Sequence, residues 1–199
     1  MRSPGKRWFT AVAALLVVVA GSQVGGGAAT AAPALPQTAP VAVVDLLGQR
    51  LALAEEVAAT KWRERRPVRD AAQADAVVRS AVAQGRQRDL DEQYVTAVFS
   101  DQIAASESVQ FALHGRWSID RTADPKPGDL VTVRSTLAAL TPRILDSLRA
   151  LETDARGVGA CEADVRSATQ QQIDARRWSD ERGAALRFAV SRLCPSRTA

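Results

Sequence analysis

The sequence predicts an all-α protein, a single-domain bundle of about six helices closed by one disulfide. Three observations carry that expectation. Apolar residues recur at three- and four-residue steps along nearly the whole chain, and no stretch keeps the strict two-residue alternation of a half-buried strand. Glycines and prolines mostly separate those periodic stretches rather than interrupt them. Two cysteines, Cys161 and Cys194, stand in a chain whose N-terminus reads as an export leader.

The leader comes first. Arg2, Lys6 and Arg7 precede an apolar run from Trp8 to Ala20, and a small-residue tract, "GGGAATAA", follows. Residues 1–32 therefore read as a secretory signal peptide cleaved near Ala31 or Ala32. A transmembrane anchor is the competing reading, but the run is shorter than the roughly 20 residues a span needs, and no stop-transfer pattern follows. Residues 33–40, "PALPQTAP", form a Pro-rich spacer. The domain is expected over 41–195, in a secreted, periplasmic or cell-envelope setting and without membrane association after cleavage. Cleavage takes three cations and no acid from a formal charge of +4, leaving about +1. A chain so nearly balanced, with no basic stripe interleaved with aromatics, is not a nucleic-acid binder by composition.

Export also places the cysteines where thiols oxidise, so a Cys161–Cys194 disulfide is expected. Closing a loop of about 33 residues stabilises a fold by roughly 3.7 kcal/mol in the chain-entropy picture. Two buried unpaired thiols are the alternative. Two cysteines and the single His114 do not make a zinc site, and no cofactor or metal is expected.

The elements follow in order. From Val43 to about Arg65, the residues Val44, Leu47, Leu51, Ala54 and Ala58 mark one face of a long amphipathic helix. Pro67 ends it, because proline pushes the residue before it out of the helical region. Asp70 caps a second helix from about Ala71 to Gln84, with Gly85 as its stop. A third starts near Asp91, carries Tyr94, Val98, Ile103 and Val109, and breaks in "HGRW". The stretch "SIDRTADPKPGD" is a loop whose Asp129 caps a fourth helix, Leu130 to about Glu152, kinked at Pro142. A fifth runs from Cys161 to about Arg177, and Ser179 caps a sixth that ends at Leu193 and Cys194. The disulfide would then join the start of one helix to the end of its antiparallel neighbour.

Arg50 and Lys61 raise the chemical question. Eleven residues turn a helix by roughly 1,100°, about 20° past three full turns, so the two cations share a face some 16 Å apart along the axis. They could grip opposite sides of one small anion, although any surface helix can display such a pair. Ser106 and Gln110, four apart, stack on one face of the third helix, where both can offer hydrogen bonds; a solvated polar face would look the same. Arg134 falls near the start of the fourth helix, where a cation opposes the helix dipole. There is no Ser-His-Asp arrangement, phosphate loop or metal cluster. His114, in a glycine-bordered break, reads as a solvated loop residue. Any chemistry here has to proceed without a strong acid, base or nucleophile.

The segments "LGQRLALAEEVAATKW", "RPVRD", "YVTAVFSDQIAASESVQ" and "DLVTVRSTL", with the cysteine pair beyond them, resemble the secreted subclass of all-helical chorismate mutases over about residues 40 to 195. The resemblance implies the type II chorismate mutase fold and the conversion of chorismate to prephenate, on the route to aromatic amino acids. That reaction is a unimolecular pericyclic rearrangement needing no cofactor and no proton transfer. It further implies a homodimer with each pocket complete within one chain. By position, Arg50 resembles the arginine that binds a substrate carboxylate, Lys61 the lysine that reaches carboxylate and ether oxygen, and Gln110 the group that hydrogen-bonds the ether oxygen. Arg134 resembles the arginine this subclass supplies from its own chain, Ser106 a position facing a carboxylate, and Asp70 the aspartate near the substrate hydroxyl. One departure stands out: Gln73 occupies a position where the family usually has arginine, and Val77, one turn on, brings no polar group, so that either the Gln73 amide compensates, another cation such as Arg69 turns inward, or the enzyme is slow. That departure leaves open a second reading, an exported paralogue that binds a small aromatic dicarboxylate or a protein without turning it over.

Overall fold

The computed structural model describes residues 38–120, 122–126, 128–153 and 157–194. The expected signal peptide and most of the Pro-rich spacer lie outside the described residues. Among those described, all regular structure is helical: α1 (Ala39–Ala52), α2 (Ala54–Arg63), α3 (Ala71–Arg86), α4 (Glu92–Ile119), α5 (Leu130–Glu152), α6 (Val158–Arg176) and α7 (Asp180–Ala189). The long first helix of the sequence reading is present as α1 and α2. Only Leu53 separates them, itself in helical conformation, and its N–H bonds back to the Arg50 carbonyl three residues earlier. α1 also begins inside the expected spacer, because Pro40 sits in the first turn, where no backbone donor is required.

Local chemistry explains most boundaries. Asp70, Asp91, Asp129 and Ser179 each accept a hydrogen bond from a backbone N–H in the first turn of the helix that follows. Three helices end with a residue in the left-handed region that is not glycine: Arg65 (φ 54°), Asp89 (φ 55°) and Arg177 (φ 49°). In each case the next N–H reaches back five residues, to the carbonyls of Lys61, Gly85 and Ile173, closing the end as a Schellman turn. Gly85 is therefore not the stop expected from sequence; it lies inside α3, packed against Val95 of α4.

The largest departure is α4, which does not break in "HGRW" but continues to Ile119. Gly115 faces open space and costs the helix about 1 kcal/mol relative to alanine, too little to end it. His114 and Trp117 pack on Trp62, with ring centroids 5.2 and 5.8 Å away, and secure the last turns. His114 is thus not a solvated loop residue: its Nε2 lies 2.9 Å from the Ala58 carbonyl oxygen. α5 is one continuous helix through Pro142.

α4 packs on α2, α3 and α7, while α1 packs on α5 and α6. Phe99, Leu47, Leu51, Ile144, Leu145, Leu148 and Leu186 fill the core. The disulfide joins Cys161 in the first turn of α6 to Cys194 after α7, with Cα atoms 5.9 Å apart. The residues after α7 are also fastened to α4: Arg192 makes a two-point ion pair with the buried Asp101, its Nε 2.6 Å from Oδ2. The Tyr94 hydroxyl donates to the Leu193 carbonyl, and burial, with a smaller push from Glu152, holds that hydroxyl protonated far into the alkaline range. No described helix is long and apolar enough to cross a membrane.

Candidate active site

The helices around α2 leave one cavity of about 110 Å³ that gathers most of the polar residues singled out above. α1 and α2 bring Arg50 and Lys61 to it, as their spacing requires, because the one-residue join at Leu53 keeps the helical rotation running. The extended segment after Pro67 contributes Val68 and Asp70, α3 contributes Gln73 and Val77, and α4 contributes Gln102, Ile103, Ser106, Glu107 and Gln110. Leu137 of α5 completes the wall.

Arg50 sits with its guanidinium carbon 5.8 Å from the centroid of the buried Phe99 ring, a cation–π arrangement. No carboxylate pairs with it among the described residues. Burial lowers its pKa to about 10, which still leaves it a cation at neutral pH. Lys61 is pushed down from the ordinary lysine value chiefly by burial; Glu107 and Asp70 oppose that shift and Arg66 reinforces it. Its Nζ donates to the Val68 carbonyl, which anchors it on the turn that follows Pro67.

Gln110 is 3% exposed; its Nε2 donates to the Ser106 Oγ at 3.0 Å, while its Oε1 meets no partner among the described residues. Gln102, equally enclosed, has a bare Oε1 too. Such orphaned amide oxygens are costly in a finished core and mark a surface built to meet a ligand. Asp70 divides its carboxylate between capping Gln73 N at 3.1 Å and an Arg66 contact at 3.6 Å.

One expected residue stays apart. Arg134 lies on the exposed side of α5, outside the cavity lining and without a hydrogen bond or ion pair among the described residues; Leu137, one turn later, is the α5 residue that reaches the wall. Conversely, Gln102 and Glu107 were not anticipated; Arg69, the cation the sequence offers in place of the absent arginine, has its Nε 3.4 Å from Glu107 Oε2. A signal for Glu107 existed: Ile103, Ser106, Glu107 and Gln110 fall at i, i+3, i+4 and i+7, one face of a helix. No group of His, Cys, Asp and Glu among the described residues is arranged to hold a metal ion. The lining therefore offers the cations Arg50 and Lys61, the carboxylates Asp70 and Glu107 and neutral amide and hydroxyl groups, and neither a thiol nor an imidazole.

Comparison with known proteins gives the same frame a context. The family described as Chorismate mutase type II matches residues 41–111, the span from α1 to Phe111 of α4. A secreted chorismate mutase of Mycobacterium tuberculosis is 34% identical over 107 residues, which make up 53% of this chain and 54% of that protein, so the match spans about half the relative's length. Two solved structures extend much further. A chorismate mutase from Burkholderia thailandensis superposes with a TM-score of 0.71 at 31% identity, over 79% of this chain and 100% of that one. Another, from Burkholderia phymatum, gives 0.74 at 29% identity, over 79% and 97%.

Proposed function

This chain belongs to the type II chorismate mutase family, and from that premise we propose that it is a secreted enzyme converting chorismate to prephenate. The observation that carries the reading is the unpaired Arg50 guanidinium facing a cavity it shares with Lys61 and Gln110. A half-buried cation without a counter-ion is unfavourable on its own and becomes favourable when an anion enters.

The rearrangement breaks the ether bond of chorismate while forming a carbon–carbon bond within the same molecule. No proton or electron pair passes to the protein. What the chain supplies is a compact near-attack geometry and charge stabilisation at the breaking ether oxygen. Arg50 binds a carboxylate, and Lys61 lies between that carboxylate and the ether oxygen. Gln110 donates to the ether oxygen from its amide; a half-turn of the amide plane exchanges its bare Oε1 for Nε2 on the cavity side. An amide donates at any ordinary pH, so this contact requires no acid conditions. Ser106 faces a carboxylate, Asp70 takes the substrate hydroxyl while capping α3, and Arg134 swings inward from the rim.

Residues 1–32 act as the cleaved signal peptide, followed by the spacer and the helical domain, and the mature protein works as a homodimer. Names of relatives support the exported setting, since that of Mycobacterium tuberculosis is a secreted chorismate mutase. The direct experiment is to follow the ultraviolet absorbance of chorismate at neutral pH with the mature protein. Its loss with appearance of prephenate establishes the reading, and a folded, oxidised protein that leaves chorismate unchanged refutes it.

A further inference from the structure

The cavity lining carries no surplus of cations for a dicarboxylate. Arg50 has no carboxylate partner, and Lys61 donates to the Val68 carbonyl while lying in the field of Glu107 and Asp70. Gln73 and Val77, on the α3 side, bring no charge. Among the lining side chains the cations Arg50 and Lys61 are matched by the carboxylates Asp70 and Glu107. A doubly negative ligand entering this wall alone would find no net positive charge to receive its second carboxylate.

The missing cation stands at the rim. Arg69 lies directly before Asp70, in the extended segment leading into α3, and its side chain is 74% exposed. It is tethered at one atom: its Nε stands 3.4 Å from Oε2 of Glu107, a cavity-lining carboxylate only 15% exposed. Neither Nη group has an acceptor among the described residues. A guanidinium fastened through Nε keeps its Nη pair available as a planar fork, the arrangement suited to a second carboxylate. Its place next to the α3 N-terminus adds a field that also favours an anion.

We infer that Arg69 is a substrate-binding residue of this enzyme, taking the carboxylate contact that the amide at position 73 cannot supply, and that Glu107 is the positioning residue that holds Arg69 beside the cavity. The inference rests on the dicarboxylate reading of the site. It assigns Glu107 a use in a cavity meant for anions: the carboxylate repels substrate less than it gains by orienting a mobile arginine.

Steady-state kinetics on chorismate test it with five variants. Arg69→Ala should raise KM about 10- to 150-fold with a smaller change in kcat, the range expected when one charge-assisted contact is lost. Arg69→Lys should recover part of the loss, and adding Gln73→Arg to Arg69→Ala should recover most of it. Glu107→Ala should raise KM, whereas Glu107→Gln, whose amide oxygen still accepts from Nε, should lie near wild type; a merely structural role would not sort the variants in this way. A wild-type protein that turns over chorismate with a KM unaffected by Arg69→Ala would overturn the inference and leave the chorismate mutase reading standing. Should the wild type show no turnover, titration with prephenate as a stable dicarboxylate decides separately: weaker binding to Arg69→Ala supports the contact, while equal binding, or none to either protein, overturns it.

Discussion

Arg50 stands 5.8 Å above Phe99 and is held by a ring face rather than by a carboxylate. An arriving anion therefore has no internal ion pair to displace. The arrangement also leaves a desolvated charge in the empty protein, a standing cost to the fold.

Arg50→Met should separate those two consequences. Turnover should fall at least about a hundredfold, the scale of one lost transition-state charge contact. Thermal stability should rise, by about 1 to 2 kcal/mol or a few degrees in Tm, because an apolar chain of similar length fills the site without the burial penalty. A variant that loses both activity and stability would show that Phe99 compensates the cation fully.

Lys61 sets the alkaline side of the pH profile. Burial lowers its pKa, so as pH rises it loses its charge earlier than an ordinary lysine, and in the proposed mechanism the cationic form is the one that acts. The sign is a fall in kcat/KM with increasing pH, beginning below the usual lysine range of about 10.4. Lys61→Arg should move that limb upward, leaving the loss of charge on Arg50 near pH 10. A flat profile through this region would remove Lys61 from the ionisations that govern the free enzyme.

Arg134 is exposed and makes no ion pair among the described residues, so the fold should not miss it. Arg134→Ala should leave Tm within about 1 °C to 2 °C, as for a surface substitution changing stability by under about 0.5 kcal/mol. Turnover should nonetheless fall at least about a hundredfold if the side chain swings in to meet substrate. A near-normal rate would place Arg134 outside the site.

Reducing the Cys161–Cys194 disulfide should lower thermal stability by roughly 3 to 4 kcal/mol while leaving the initial rate in the cold almost unchanged. The bond fastens α6 to the end of α7, and no residue of either helix lines the cavity. Loss of activity with helicity intact would mean that the Arg192–Asp101 and Tyr94–Leu193 ties transmit the position of α7 to α4.

Gly85→Ala should destabilise by about 1 to 2 kcal/mol, opposite in sign to the usual gain from replacing a helical glycine. A Cβ there would stand 2.9 Å from the Cγ2 of Val95, a fully buried and branched side chain. Pairing it with Val95→Ala should recover part of the loss, as melting curves of the two variants would reveal.

Much of this molecule was legible in its residues. The cap positions Asp70, Asp129 and Ser179 were readable because a short polar side chain before an apolar periodic stretch has one strong local use. The Arg50–Lys61 face was readable because helical rotation is arithmetic. Reading a break at "HGRW" failed because glycine was weighed as punctuation, whereas His114 and Trp117 had a distant partner, Trp62, that no local pattern reveals. Gly85 misled for the same reason: its smallness serves Val95 on another helix, and Asp89 ends α3 instead. Arg134 could not be placed from periodicity, which groups residues on one helix face without saying which face meets the cavity. Glu107 was visible in the stripe with Ser106 and Gln110, but a carboxylate in an anion site is easily passed over.

The join at Leu53 has a consequence for how this protein can vary. Arg50 and Lys61 are brought to one cavity by a count of residues, not by any contact between them. Inserting or deleting one residue between them would turn Lys61 by about 100° relative to Arg50, carrying its ammonium out of the cavity even if every side chain in α1 and α2 kept its character. The stretch from Leu51 to Thr60 can accept many exchanges of identity on its outer face, but its length is fixed by the need to keep both cations on one cavity.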